Sequence, residues 1–149
     1  MPTVLDVARY IVKKLDSMTT MKLQKLTYYC QAWHLAWLEE PLFNEDFQAW
    51  ANGPVCPELY ERHHGIYRVD STFLSDIPDY DFTKEQIEAM DTVLDYYGDK
   101  EPHWLSELTH LEYPWRNARM GVVPGEPSHN IISKEDMMMY YGGLSNGKV

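Results

Sequence analysis

The chain has 149 residues, of which 44% are hydrophobic and 13% aromatic, with 11 Tyr and 5 Trp. That supplies one packed core and leaves little length for a second domain. The net charge of −10 excludes the clustered Lys/Arg footprint that phosphate backbones demand, so nucleic acid is not an expected ligand.

The charge is uneven. Residues 1–40 carry five Lys/Arg against four Asp/Glu, whereas residues 41–149 carry eight against nineteen, a balance of −11. Such a field attracts a basic partner and speeds its arrival. The two cysteines, Cys30 and Cys56, fit neither a disulfide framework nor a zinc spacing. Asp6 and Arg9 interrupt the apolar residues near the start, so no signal peptide is expected. No run reaches transmembrane length, which makes the cytoplasm the expected location and leaves no role for a membrane.

Val4, Val7, Ala8, Ile11, Val12 and Leu15 recur at helical spacing and predict an amphipathic helix over 3–15. Thr19 or Thr20 can cap a second helix that Pro41 stops nearby. One face of that helix gathers Leu23, Leu26, Thr27, Cys30, Trp33, His34, Trp37 and Leu38, and the other still carries Tyr28, Ala32, Leu35 and Ala36. A helix apolar on both sides is covered on both sides, so this one is expected at the centre, with Leu23, Leu26, Cys30, Trp33, His34 and Trp37 buried. Residues 41–56 read as a compact loop with a short strand near Phe47–Trp50. Pro57 suits the first turn of a short helix to about His64, and residues 66–82 are acidic and irregular. Thr83 and Gln86 form a capping box for a helix closed by Gly98. Further helices are expected from Pro102 to about His110, after Pro114, and from Ser133 to Gly142. The expected fold is mainly α, a compact single-domain helical bundle over 1–142 with at most a short strand or hairpin and a flexible tail at 143–149.

The residues that carry chemistry do not assemble into a catalytic pattern. His103, Glu107 and His110, spaced by four and three, can share a helix face, the arrangement of a metal or acid–base site. No further ligand signature accompanies them, so a packed or hydrogen-bonded histidine is the expectation, with no metal and no cofactor. His63 and His64 point different ways from a helix and are expected at the surface. His34 reads as a core histidine and Cys30 as an inert packed thiol. Five Trp and 11 Tyr exceed what one small core needs, which suggests that some Tyr line an interface.

Three segments resemble a known family: MTTMKLQKLTYYCQAWHLAW at 18–37, PLFNEDFQAWANGPVCPELY at 41–60 and LSELTHLEYPWRNAR at 105–119. Their order and spacing are similar to the Panacea domain of SocA-like and phage-associated GepA-like antitoxins, over about residues 5–135. The matching positions are Lys22, Leu23, Gln24, Lys25, Leu26, Tyr28, Tyr29, Gln31, Trp33 and His34, then Pro41, Leu42, Phe43, Glu45, Ala49, Trp50, Gly53, Pro54, Val55 and Tyr60. Leu105, Thr109, His110, Pro114 and Trp115 complete them. The resemblance implies a mostly helical, non-enzymatic antitoxin of a toxin–antitoxin system, often carried on a prophage, that inactivates a cognate protein toxin by direct contact. In the SocA branch it implies an adaptor that delivers the toxin to ClpXP; a metal-dependent enzyme is the distant alternative. Most signature residues are expected to hold the scaffold: Gly53 permits a positive φ and Pro54 fixes the next residue. For contact with a basic toxin surface the expected anchors are Tyr67, Tyr80, Tyr113, Tyr140 and Tyr141, which lack strong core periodicity.

Overall fold

The structure, a computed structural model, describes residues 1–145. Helix α1 (Val4–Leu15) starts at a reciprocal cap: the Asp6 N–H donates to Thr3 Oγ1, and the Thr3 N–H donates to the Asp6 carboxylate. That arrangement satisfies two amides with no partner inside the helix. The inward face of α1 is Val4, Val7, Ala8, Ile11 and Val12, all fully buried. Strand β1 (Met18–Thr19) leads directly into α2 (Thr20–Leu38), whose first turn is capped by the Thr19 hydroxyl.

Helix α2 is the centre of the molecule, as its two-sided apolarity requires. Every residue from Leu23 to Ala32 is buried, and α1, α4 (Lys84–Tyr97), α5 (Pro102–Leu111) and α7 (Lys134–Ser145) pack around it. The expectation fails only at its end. Trp37 is 40% exposed and Trp33 is half-buried, because both face an open groove between α2, α4 and α5.

Between these helices lie α3 (Pro57–His63) and α6 (Tyr113–Ala118), both opened by a proline in the first turn. The Thr83–Gln86 capping box forms as its spacing predicts. Strand β2 (Phe47–Trp50) pairs antiparallel with β3 (Gly53–Val55) on one side and with β5 (Ile131–Ile132) on the other. Strand β4 (Arg68–Val69) pairs with β1. The fold is thus mainly α, but it carries two small antiparallel sheets rather than a single hairpin; β1, β4 and β5 are two-residue strands too short for any periodicity to show. Helix α7 runs to Ser145, past the expected end at Gly142, and residues 146–149 of the expected tail lie outside the described residues.

Two glutamines on α2, two turns apart, tie the 41–56 segment to the core. Gln24 accepts the Cys56 N–H at 2.9 Å and donates to the Cys56 carbonyl at 3.3 Å. Gln31 accepts the Leu42 N–H at 2.7 Å and donates to the Phe43 carbonyl at 2.6 Å. Each amide does what a neighbouring strand would do for a backbone that otherwise enters the core unpaired. Arg119, 6% exposed, does the same for the loop after α6 by donating to the carbonyls of Ala49 and Glu126.

Candidate functional site

Three of the exposed aromatic side chains converge at one place. Trp37 from α2, Tyr96 from α4 and Trp104 from α5 are 40%, 59% and 41% exposed, and they rim a groove of about 480 Å³. Trp33 and Tyr97 form its inner wall, with the Trp33 indole N–H donating to the Tyr97 hydroxyl at 3.0 Å. Trp33 and Trp37 face each other at 5.2 Å, the spacing expected of four residues on one helix face. The Lys100 ammonium lies 5.3 Å from the Tyr96 ring and 5.2 Å from the Trp104 ring, so this rim already holds one cation. Glu85 and Glu88 border a smaller cleft that continues from Trp37.

Beneath the groove sits a buried carboxylate. Glu112, 5% exposed, accepts from the hydroxyls of Tyr29 and Tyr141, each at 2.7 Å. Because the Tyr141 proton goes to Glu112, the Tyr28 hydroxyl donates to Tyr141 at 3.2 Å, closing a chain of three phenols. Burial pushes the Glu112 carboxyl up to about 7, with the two phenol hydrogen bonds opposing the shift. Burial likewise raises the Tyr28, Tyr29 and Tyr141 hydroxyls, which therefore act as donors at neutral pH.

A second cavity, about 440 Å³, opens between the start of α2, the β2–β3 hairpin, α3 and the 125–129 loop. Lys25 lines it while being 1% exposed, and its amine donates to the Pro54 carbonyl at 3.1 Å. Burial lowers Lys25 to about 7. Gly53 stands against it with φ +124°, and a Cβ there would sit 2.5 Å from Lys25 Cε. Gln24 Nε2 lies 3.0 Å from His63 Nε2; its oxygen is committed to the Cys56 amide, so Gln24 donates and His63 accepts. Across the hairpin, the Trp115 indole N–H donates to the Trp50 carbonyl at 2.9 Å, and His110 stacks on Trp115 at 4.1 Å.

The segments that build these features are the ones on which the likeness to known proteins falls. A family model described as antitoxin SocA-like, Panacea domain, matches residues 23–116, well over half of the chain. The chain belongs to the SocA-like antitoxin family. No curated protein and no solved structure matches it. The Panacea match runs from the first full turn of α2 to α6, so it includes every aromatic residue of the groove and leaves α1, β1, β5 and α7, whose Leu144 also lines it, outside. Among the described residues of this antitoxin-family chain no helix is long and apolar enough to cross a membrane.

Within the Panacea domain the signature residues divide by role. Leu23, Leu26, Tyr28, Tyr29 and Pro114 are core. Gln24, Lys25, Trp50, Gly53, Pro54, Val55, His110 and Trp115 meet where the hairpin docks on α2 and α5. Lys22 is half-buried, and His34 is buried with Nδ1 2.7 Å from the Glu40 carbonyl, as a core histidine should be. Cys30 is fully buried, and burial raises its thiol far above the reactive range.

Several expected surface residues are placed differently. Tyr141 is fully buried on Glu112 and cannot be an anchor. Tyr67 is 77% exposed and Tyr113 49%, while Tyr80 packs on Phe82 and Tyr140 on Tyr141. Apart from Tyr140 and Tyr141, no ring contact joins any two of the five among the described residues. His63 is buried against Gln24, because α3 turns that side inward and leaves only His64 outside. His103 pairs with Glu107 at 3.1 Å on the surface, whereas His110 turns inward onto Trp115. No three His, Cys, Asp or Glu among the described residues gather closely enough to hold a metal ion. The groove residues Trp37, Tyr96 and Trp104 escaped sequence reasoning. Helical periodicity assigns Trp37 to the core, Tyr96 and Trp104 carry no such assignment, and only the meeting of three helices brings the three together at the surface.

Proposed function

We propose that this chain is the antitoxin of a toxin–antitoxin pair and silences a cytoplasmic protein toxin by direct contact through the groove of Trp37, Tyr96 and Trp104. The observation that carries the reading is the clustering of three exposed aromatic side chains inside the segment matched by the antitoxin family. Large aromatic side chains on a surface are the usual anchors of tight interfaces, and a concave cluster lets a partner side chain be fully desolvated. Glu85 and Glu88 at its end, within a chain of net charge −10, suit a toxin segment that carries apolar anchors flanked by Lys or Arg.

The test is co-expression with the neighbouring reading frame. Wild-type protein should rescue growth and co-purify with that product. Trp37→Ala combined with Trp104→Ala should weaken the complex at least a hundredfold and abolish rescue, with the helical content unchanged. Full rescue by the double variant would overturn the groove as the contact. A neighbouring product that neither binds nor harms the cell would overturn the antitoxin reading itself. Toxin levels should be the same with and without ClpXP; loss of toxin only when the protease is present would replace neutralisation by delivery for degradation.

A further inference from the structure

The cavity beside Lys25 has the attributes of a ligand site that neither the fold nor toxin contact requires. Met21, Trp50, Val55 and Tyr60 give it apolar walls, and the Trp50 and Tyr60 rings meet edge to face at 5.0 Å. Lys25 is the one cationic side chain lining it that is wholly buried. Among the described residues its amine has a single hydrogen-bond acceptor, the Pro54 carbonyl, and no ion-pair partner. An ammonium group carries three donors, and a buried one with no anion nearby is costly. Burial, with a further push from Lys25, lowers His63 and His110, so both rings are neutral at pH 7; Arg119 adds to the shift at His110 and Glu107 opposes it. The Lys25 amine is therefore the one basic group in an open pocket, without an acidic side chain among its lining residues, in a chain of net charge −10.

We propose that this cavity binds a small organic carboxylate with a flat apolar body, the carboxylate pairing with the Lys25 amine and the body lying against Trp50 and Tyr60. Lys25 is the contact the pocket can offer to an anion, since the neighbouring amide of Gln24 is already engaged by Cys56 and His63. One buried amine balances one negative charge, so a monoanion fits and a phosphate dianion leaves charge uncompensated. Burial holds the empty-site amine near neutrality, at about 7, and an incoming carboxylate draws the proton onto it. The same group can come from a free small acid or from the terminal carboxylate of a peptide.

Calorimetry on the full chain with benzoate and with N-acetylphenylalanine separates these sources, using benzamide, N-acetylphenylalaninamide and inorganic phosphate as comparisons. The Trp50 indole N–H resonance reports where each probe binds. At least one acid should bind saturably, at least tenfold tighter than its amide, and shift that resonance. Stronger binding of benzoate identifies a free acid as the ligand class, and stronger binding of N-acetylphenylalanine identifies a chain terminus. Lys25→Met keeps the side-chain volume while removing the buried charge, so it should fold and lose the preference for acid over amide. Tyr60→Ala should weaken acid and amide alike. Equal binding of acid and amide, phosphate binding as tight as benzoate, unchanged benzoate binding by Lys25→Met, or no binding of any probe would overturn the proposal.

Discussion

Lys25 and Glu112 are two buried ionisable groups whose burial opposes charge, and they make opposite demands on pH. Glu112 rises to about 7 from its ordinary 4.5, so the folded state holds its proton where the unfolded chain has lost it. Stability from this group is complete below about 4.5 and disappears as pH climbs to about 7. Lys25 falls to about 7 from 10.5; the unfolded chain binds the extra proton, so the penalty is full below about 7 and fades as pH rises toward 10.5. Urea unfolding followed by tryptophan fluorescence checks both. Relative to wild type, Glu112→Gln should gain stability steadily across the acid-to-neutral window, by about 3 kcal/mol in all, because the Gln oxygen can still accept from Tyr29 and Tyr141. Lys25→Met should be more stable than wild type by a few kcal/mol at neutral pH, the gain shrinking in alkali. A Glu112→Gln difference that stays constant with pH would mean that the carboxyl titrates in the folded protein as it does in the unfolded chain. Gly53 depends on the same lysine. Gly53→Ala forces a left-handed backbone on a residue with a Cβ and drives that Cβ into Lys25 Cε, and should lose about 1–3 kcal/mol. Repeating it in a Lys25→Ala background should recover the steric part and keep the backbone part. Full additivity in that cycle would show that Lys25 is not the obstacle.

At the scale of elements, the sequence was legible wherever a local rule governs and opaque wherever the third dimension does. The Thr83–Gln86 box, the Pro57 and Pro102 starts and the Phe47–Trp50 strand are local patterns, and each forms as expected. Helix α2 was legible as central because apolar residues on both faces leave no solvent side. Its end was not. Trp33 and Trp37 share one helical face, yet Trp33 donates a hydrogen bond to Tyr97 whereas Trp37 stands 40% exposed at the rim of the groove between α4 and α5. Tyr141 was misread for the converse reason: α7 carries little apolar periodicity, and only its packing on α2 sends that ring onto Glu112. The lysine cavity was hidden too, since a Lys in a helix ordinarily reads as surface. A mutational pair measures the difference between the two tryptophans. Trp33→Ala should cost about 3 kcal/mol through lost packing and the lost hydrogen bond, whereas Trp37→Ala should cost about 1 kcal/mol or less. Equal losses in thermal unfolding would mean that Trp37 is held by the core and is not available to a partner.

For the whole molecule, charge and anchors act on different steps of binding. The acidic excess lies after position 40, while the groove is mainly aromatic, with Glu112 buried at its base and Glu85 and Glu88 in the adjoining cleft. On the proposed reading, long-range attraction acts on the approach of a basic toxin, and the Trp37, Tyr96 and Trp104 cluster acts once it has docked. Screening separates the two. The Debye length shrinks from about 10 Å at 0.1 M salt to about 3 Å at 1 M, which removes steering but leaves short-range packing intact. The association rate should thus fall at least tenfold across that range while the dissociation rate changes little. Replacing Glu85 and Glu88 by Lys should reproduce that slowing at low salt without hastening dissociation, because these carboxylates border the groove and do not line its aromatic wall. Trp37→Ala should do the reverse, hastening dissociation and sparing association. If high salt accelerates dissociation as much as it slows association, buried ion pairs rather than aromatic anchors hold the complex together, and the groove is then not its energetic centre.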